Sequence, residues 1–306
     1  MADRRFDTTP LTARPRRSEW RRFRDQAVAG EHGRDLAAPS GWRRAEYPLA
    51  WAFVSMLIAG ALAGLLVGMG VAWLTLTLAV VNVGVLLFLA WAILWRGRHD
   101  FWGPAARARW RLREFAGVNG LGYAPEPSVS RLRSYIFDYA PTRRHVDRFE
   151  VPGPYGFAVA NYEEVWDDGP GESDGYDSGY AVFALRESYP HTLIARRMHT
   201  RIKALTDVEP CDGPAGRRIW STKPDYPLLQ RLIATGVVDR VAELGQSIQI
   251  EIVGQQLFVL RPTAHWDLAS TRLWTGLASV AEALEPFATP GVPDAGGALM
   301  ARTTPQ

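Results

Sequence analysis

One uncharged stretch constrains what this chain can fold into more than any other feature. Residues 48–95 contain no Asp, Glu, Lys, Arg or His. A helix needs about 20 mainly apolar residues to cross the hydrocarbon core of a bilayer, so this stretch is long enough to cross it twice. Helical propensity is lowest at Gly68-Met69-Gly70. The sequence therefore predicts a hairpin of two transmembrane helices, at about 49–67 and 71–95.

Arginines on both sides of the hairpin predict its orientation. Residues 1–47 contain eleven arginines against seven acidic residues, and further arginines follow the second helix. Because cytoplasmic flanks carry the positive excess, both termini are expected inside and the glycine turn outside. Cys211, the single cysteine, agrees with a reducing compartment, since it cannot form a disulfide within the chain. The predicted contacts to anionic lipid are Arg96, Arg98, Arg107 and Arg111.

Small residues mark one face of the first predicted helix. Gly60, Gly64 and Gly68 recur at every fourth position, which permits close approach of another helix. The partner is either the second helix of the same hairpin or another helix, through self-association or docking to a membrane subunit. Asn82, near the middle of the second helix, is expected to form a hydrogen bond with a neighbouring helix.

The regions outside the hairpin differ in composition. Residues 1–47 are predicted to form a basic, mostly disordered cytoplasmic tail, with disorder from Met1 to about Arg17. A short helix after Ser18 would place Trp20, Phe23 and Ala27 on one side, where they either contact the lipid surface or belong to a flexible tail. Residues 96–288 are predicted to form a cytoplasmic domain, and 289–306 a disordered tail.

Local patterns predict an α+β fold for the cytoplasmic domain. A helix at 105–116 ends at Asn119-Gly120, and strands follow at about 145–151, 156–164, 180–187 and 192–195. Helices are expected from Pro227, at 238–244 and at 266–284. Between the last two, residues 248–252 and 256–260 predict a β-hairpin that turns at Gly254-Gln255. The expected architecture is an antiparallel sheet with helices on one face.

The chain lacks the sequence motifs of the common enzyme classes. It has no phosphate-binding GxxxxGK[ST] loop and no GxSxG, HExxH or CxxC motif. We therefore predict no catalytic, cofactor-binding or metal-binding residues. The histidines His191, His199 and His265 are interpreted as surface or hydrogen-bonded residues, and the acidic loop at 167–179 lacks the spacing of a calcium loop. Glu163 and Glu164 leave a paired-carboxylate role open.

A resemblance to known proteins rests on the predicted hairpin, on Phe115-Ala116-Gly117-Val118-Asn119-Gly120-Leu121 and on the terminal segments 248–252 and 257–262. Together they resemble uncharacterised two-pass membrane proteins of high-GC Gram-positive bacteria that have a cytoplasmic domain of unknown function. The resemblance implies a fold and a location in the bacterial cell membrane, and it carries no catalytic residues.

Three functions follow as hypotheses. The first is a membrane-anchored binding or scaffold protein, with membrane lipids and an unidentified protein as partners and no nucleic acid. The alternative is an accessory subunit of a larger membrane complex, with a homo-oligomer as a further option. An enzyme of unrecognised type is the third.

Overall fold

The computed structural model describes residues 6–28, 84, 104–127, 132–137, 142–153, 155–165, 175–198, 202 and 205–289. Except for Gly84, the predicted hairpin at 48–95 lies outside these residues. Among the helices that are described, none combines the length and the apolar character that crossing a bilayer requires. The chain divides into two compact units, one formed by Met1–Arg14 with Arg111–Gln306 and the other by Pro15–Trp110.

The unit Pro15–Trp110 contains helix α2 (Arg17–Val28) and the first half of helix α3 (Pro104–Val118). The predicted helix after Ser18 is therefore present. Trp20, Phe23 and Ala27 are 6 %, 2 % and 1 % exposed, and the rings of Trp20 and Phe23 stack with centroids 5.4 Å apart. The three side chains are buried, whereas the sequence predicted that they contact lipid or belong to a flexible tail.

The other unit is an α+β domain built on an antiparallel sheet, as predicted. Its strands are β1 (Gly122–Ala124), β2 (Thr142–Val151), β3 (Phe157–Val165), β4 (Gly175–Ala195), β5 (Cys211–Asp212), β6 (Arg218–Ser221) and β7 (Gln249–Arg261). Its helices are α1 (Thr9–Thr12), the second half of α3, α4 (Pro227–Ile233), α5 (Val237–Leu244) and α6 (Thr271–Leu284). The strand order is β1-β2-β3-β4-β6-β5, and β7 also pairs with β4.

Strand β4 is the centre of the sheet. Its first half pairs with β3, and residues 192–195 pair with β6. Strand β7 pairs with both halves of β4, with register shifts between Ala184 and Thr192. The predicted hairpin at 248–260 is therefore wrong: β7 is one continuous strand. Gly254, with φ +60°, lies beside these shifts opposite Tyr189 and does not reverse the chain.

Helix α3 ends as the sequence predicts. Gly120 adopts φ +62°, which glycine adopts at little steric cost. The N–H of Leu121 donates to Ala116 O at 2.9 Å and that of Gly120 to Gly117 O at 3.3 Å, the two bonds of a Schellman motif. Leu121, 9 % exposed, then enters the core and directs the chain toward β1.

The helices cover one face of the sheet. The buried side chains of α4, α5 and α6 join those of β2, β3, β4 and β7 in a single apolar cluster. Trp274 of α6 lies at its centre, completely buried, with the rings of Phe115 and Phe149 4.6 and 5.0 Å from it. The indole N–H donates to Leu268 O at 2.9 Å, so the polar atom of this large side chain is satisfied.

Residues 6–12 belong to this core, whereas the sequence predicted disorder from Met1 to about Arg17. Phe6 packs against Trp274 with ring centroids 5.4 Å apart, and Leu11 is 2 % exposed. The amide of Asn119 accepts from Asp7 N at 2.8 Å and donates to Asp7 O at 2.9 Å. Two apolar side chains and a paired backbone contact fix a segment that its composition marks as polar.

The opposite face of the sheet is covered without an α-helix from the described residues. A 3-10 turn, Tyr135–Phe137, and the residues Ile202 and Leu205 form a second apolar cluster with β3, β4, β6 and β7. Both faces of the central strands are therefore buried, and polar residues of these strands lie inside the protein.

Candidate functional site

A row of polar side chains lies on the sheet face beneath the Tyr135–Phe137 turn. His145 on β2, Tyr162 on β3 and Ser178 on β4 are cross-strand partners. Tyr180 is two residues further along β4 and therefore projects from the same face. Arg148 reaches this group from β2, and none of the five residues is more than 8 % exposed.

Hydrogen bonds connect three of these residues. Arg148 Nη1 donates to Tyr180 Oη at 3.4 Å, and Tyr180 Oη lies 2.9 Å from His145 Nδ1. Arg148 is the donor to Tyr180, whereas the donor between Tyr180 Oη and His145 Nδ1 depends on the tautomer of the imidazole.

The surroundings keep both rings neutral at physiological pH. Burial, with the positive charges of Arg148 and Arg143 next in importance, lowers the pKa of His145 to about 3. Burial also raises the pKa of Tyr180 to about 12, although the neighbouring Arg148 acts in the opposite direction. Neither side chain therefore changes its charge near neutral pH.

The atoms Arg148 Nη2 and Ser178 Oγ of this group are buried without a hydrogen-bond partner. Buried polar groups in folded proteins are nearly always hydrogen-bonded, and an unpaired one costs about 1–3 kcal/mol, more when the group is charged. The group therefore retains hydrogen-bonding capacity that its own side chains do not use.

Aromatic rings surround the neighbouring Phe137. Its ring centroid lies 4.9 Å from that of Tyr162, 5.2 Å from Tyr180 and 5.4 Å from His145. The contacts to the two tyrosines are edge-to-face, which aromatic pairs favour. These contacts fix the orientations of the rings whose polar atoms form the site.

A second polar group holds the same turn from its other side. Glu251 is fully buried and accepts from Ser134 Oγ at 2.5 Å, from Tyr135 N at 3.2 Å and from His191 Nε2 at 2.9 Å. Here the carboxylate separates the hydroxyl from the imidazole. In a nucleophilic triad the imidazole must contact the hydroxyl, so this order does not activate Ser134. The arrangement anchors the turn to β7.

The predicted membrane residues are only partly described. Gly60, Gly64, Gly68, Asn82, Arg96 and Arg98 lie outside the described residues. Arg107 is exposed on α3. Arg111, one helical turn later, is half-buried and donates through Nε to Ala13 O at 2.9 Å. It therefore helps to fix the N-terminal segment, a role that the lipid-contact prediction did not include.

The acidic and histidine candidates are dispersed. Glu163 and Glu164 project from opposite faces of β3, which separates the two carboxylates and is incompatible with a paired role. His265 Nε2 lies 3.5 Å from Asp177 and 3.9 Å from Glu163. His191 contacts Glu251, and His199 is not among the described residues. In the part of the chain that is described, no group of three or more His, Cys, Asp or Glu side chains could hold a metal ion.

The sequence interpretation missed His145, Arg148, Ser178 and Tyr180. One signal was available, namely a charged and a titratable residue within strands otherwise rich in Val, Phe and Tyr. Nothing local indicates that the second face of the sheet is covered, so the pattern alone does not predict that these residues are buried.

The chain matches no protein-family model, no curated protein and no solved structure. The resemblance to two-pass membrane proteins therefore stays a prediction.

Proposed function

We propose that this chain is a membrane-anchored binding protein whose α+β domain engages another protein at the inner face of the bacterial cell membrane. The observation that carries the proposal is the uncharged run at 48–95, followed by a domain with a complete core. Two helices without ionisable residues are suited to anchoring. They lack the acids and bases that ion or proton transport requires.

The apolar content of the described surface indicates what kind of interface a protein partner would form. Among the described residues, Val118, at 58 %, is the one large hydrophobic side chain that is exposed. Obligate interfaces are apolar and large, and exposed apolar patches usually mark them. A partner of the described surface would therefore bind through polar contacts, as in reversible complexes.

The scarcity of exposed apolar side chains among the described residues also bears on the second candidate function, an accessory subunit of a membrane complex. If the chain is instead a permanent subunit of a membrane complex, the apolar interface would have to come from the hairpin. Gly60, Gly64 and Gly68 would then provide the docking face. The candidates differ in where the partner binds: to the domain in the first and to the membrane helices in the second.

Thiol labelling tests the topology. Cys211 is the single cysteine and is exposed. We expect no reaction with a membrane-impermeant maleimide in intact cells and full reaction after lysis. As a matched control, Met69→Cys in a Cys211→Ser background should react in intact cells, because position 69 lies in the predicted external turn. Labelling of Cys211 in intact cells would refute the topology.

Copurification tests the partner. The full chain, mildly solubilised from its native membrane at endogenous expression, is analysed by mass spectrometry. Stoichiometric membrane proteins that are lost with Gly64→Leu support the subunit candidate. A soluble partner that is retained with Gly64→Leu supports the binding protein. Recovery of the chain alone under crosslinking conditions would count against both.

A further inference from the structure

The N-terminal segment, residues 6–13, is anchored to the rest of its unit by two apolar side chains. Phe6 packs against Phe115 and Trp274 with ring centroids 6.0 and 5.4 Å away, and Leu11 is buried in the same cluster. The remaining residues of the segment are exposed or half-buried. Parts of a protein with few buried apolar contacts and exposed hydrogen bonds open at the lowest cost in free energy.

The surface beneath the segment recognises its main chain. The amide of Asn119 pairs with the N–H and the carbonyl of Asp7 at 2.8 and 2.9 Å, and Arg111 Nε donates to Ala13 O at 2.9 Å. Each of these three hydrogen bonds goes to a main-chain atom, which a residue of almost any type supplies. Proteins that bind extended peptides combine such main-chain bonds with contacts to a few side chains.

A turn inside the segment sets the spacing of the two anchoring side chains. The carboxylate of Asp7 accepts from Thr9 N at 2.9 Å, and Leu11 N donates to Thr8 O at 3.0 Å. Both bonds are local, so the segment forms this turn from its own residues. Phe6 and Leu11, five positions apart, thereby reach one surface. Another ligand of this surface would need an aromatic and an apolar side chain at the same spacing.

The docked segment leaves part of this region uncovered and hides a larger apolar part. Val118, 58 % exposed, directly precedes Asn119 at the end of α3. Phe115 and Trp274 are completely buried with the segment in place, and its displacement would uncover their rings. The described surface is therefore poor in apolar side chains only while the segment is docked.

We propose that residues 6–13 occupy the partner-binding surface of this domain as an intramolecular ligand. The partner is a protein segment that carries an aromatic residue and, five positions later, an apolar one. It displaces the N-terminal segment, takes over the main-chain bonds to Asn119 and Arg111, and covers Val118. This inference rests on the proposed function of a binding protein. A tethered ligand competes at high effective concentration, so the partner binds more tightly when the tethered ligand is weakened.

A labelled peptide of residues 4–16 is the probe. It is titrated with the full chain in mild detergent, and fluorescence anisotropy measures binding. Phe6→Ala in the chain weakens the tethered ligand and should tighten binding of the peptide at least about tenfold, to a dissociation constant of about 0.1 mM or lower. Equal affinities of the two chains, or no binding by the Phe6→Ala chain at about 1 mM, would overturn the proposal.

Variants of the peptide test specificity without altering the fold of the chain. Phe6→Ala or Leu11→Ala in the peptide should weaken binding at least about tenfold, and Thr12→Ala, at an exposed position, by less than about threefold. In the Phe6→Ala chain, Asn119→Ala should weaken binding, whereas Glu114→Ala, exposed on the same helix, should not. Equal binding of the unchanged and Phe6→Ala peptides would contradict recognition of the aromatic residue.

The soluble partner recovered by copurification gives a second readout. An excess of the unchanged peptide should release it from the full chain, and the Phe6→Ala peptide should not. A partner that is retained in excess peptide binds elsewhere, which would overturn the proposal. Binding of the peptide does not depend on the orientation of the chain in the membrane. Labelling of Cys211 in intact cells, with the peptide still bound, would therefore refute the proposed topology alone.

Discussion

The anchor of the Tyr135–Phe137 turn gives a prediction of defined size. Glu251→Ala removes the acceptor of two buried donors, the hydroxyl of Ser134 and the backbone N–H of Tyr135. At about 2 kcal/mol for each unpaired donor, the free energy of unfolding should fall by about 4 kcal/mol. His191 adds little, because its side chain is 23 % exposed and water can replace the carboxylate.

Thermal unfolding of the full chain in mild detergent measures this loss. For a domain of this size, 1 kcal/mol corresponds to about 2–4 °C, so the midpoint should fall by roughly 8–16 °C. Glu251→Gln keeps one acceptor oxygen and should show about half of the decrease. The control is Glu282→Ala on the exposed side of α6, which should change stability by less than about 0.5 kcal/mol.

The Ala and Gln variants together test whether the carboxylate of Glu251 holds the turn. If the Ala and Gln variants unfold within about 2 °C of the unchanged chain, the turn is not held by the carboxylate. The apolar contacts of Phe137 would then be sufficient to hold it.

Three further predictions concern other parts of the domain. In the unfolded state His145 binds a proton below about pH 6.5, whereas its pKa in the native state is about 3. As the pH is lowered from 6.5 to 3, the free energy of unfolding should therefore decrease by about 1.4 kcal/mol per pH unit. Urea unfolding at several pH values should show a weaker dependence for His145→Gln, and equal slopes would contradict the prediction. Gly179→Ala would place Cβ 2.4 Å from Trp266 Cδ1 and should cost about 1–3 kcal/mol. Gly117→Ala, in open space on a helix, should instead stabilise by about 0.5–1 kcal/mol, and thermal shifts of the same sign would be inconsistent with this packing. Arg217→Met removes the side-chain donor to Ile248 O and one of the two donors to Gly245 O, which the N–H of Ile248 also contacts, and should cost about 1–3 kcal/mol; an unchanged urea midpoint would contradict this.

Single glycine and proline residues predicted where several helices begin or end. Gly120 ends α3, Pro227 begins α4 and Gly236, with φ +78°, separates α4 from α5. Such boundaries follow from the backbone preferences of glycine and proline, which act wherever the residue occurs. The strands β2 and β3 were also predicted close to their observed ranges.

The pairing of β7 could not be predicted in the same way. A glycine between two apolar runs indicates a turn when the runs are to pair with each other. Here both runs pair with β4, whose 21 residues offer a longer partner. The alternation of Ile250, Glu251 and Ile252 is typical of a strand with one face in solvent. Glu251 is instead buried, because the turn at Tyr135–Phe137 covers that face.

The candidate site was hidden for the same reason. His145 and Arg148 are ordinary exposed residues if only one face of the sheet is buried. Their burial depends on Phe137, which precedes them in the chain, and on Tyr180, from a strand two positions away in the sheet. Contacts of this kind are set by tertiary structure, and no local pattern encodes them.

The docked N-terminal segment has a consequence for the order of folding. Asp7 and Asn119 are 112 residues apart in sequence, and the ring of Phe6 packs against Trp274, which is synthesised much later. During synthesis Phe6 and Asp7 therefore complete these contacts only after the stretch at 48–95, Asn119 and Trp274 have been made. A fragment that begins at Pro104 would lack Phe6 and Leu11 and would expose the aromatic surface of Phe115 and Trp274. Biochemical work on this domain should therefore retain residues 6–13.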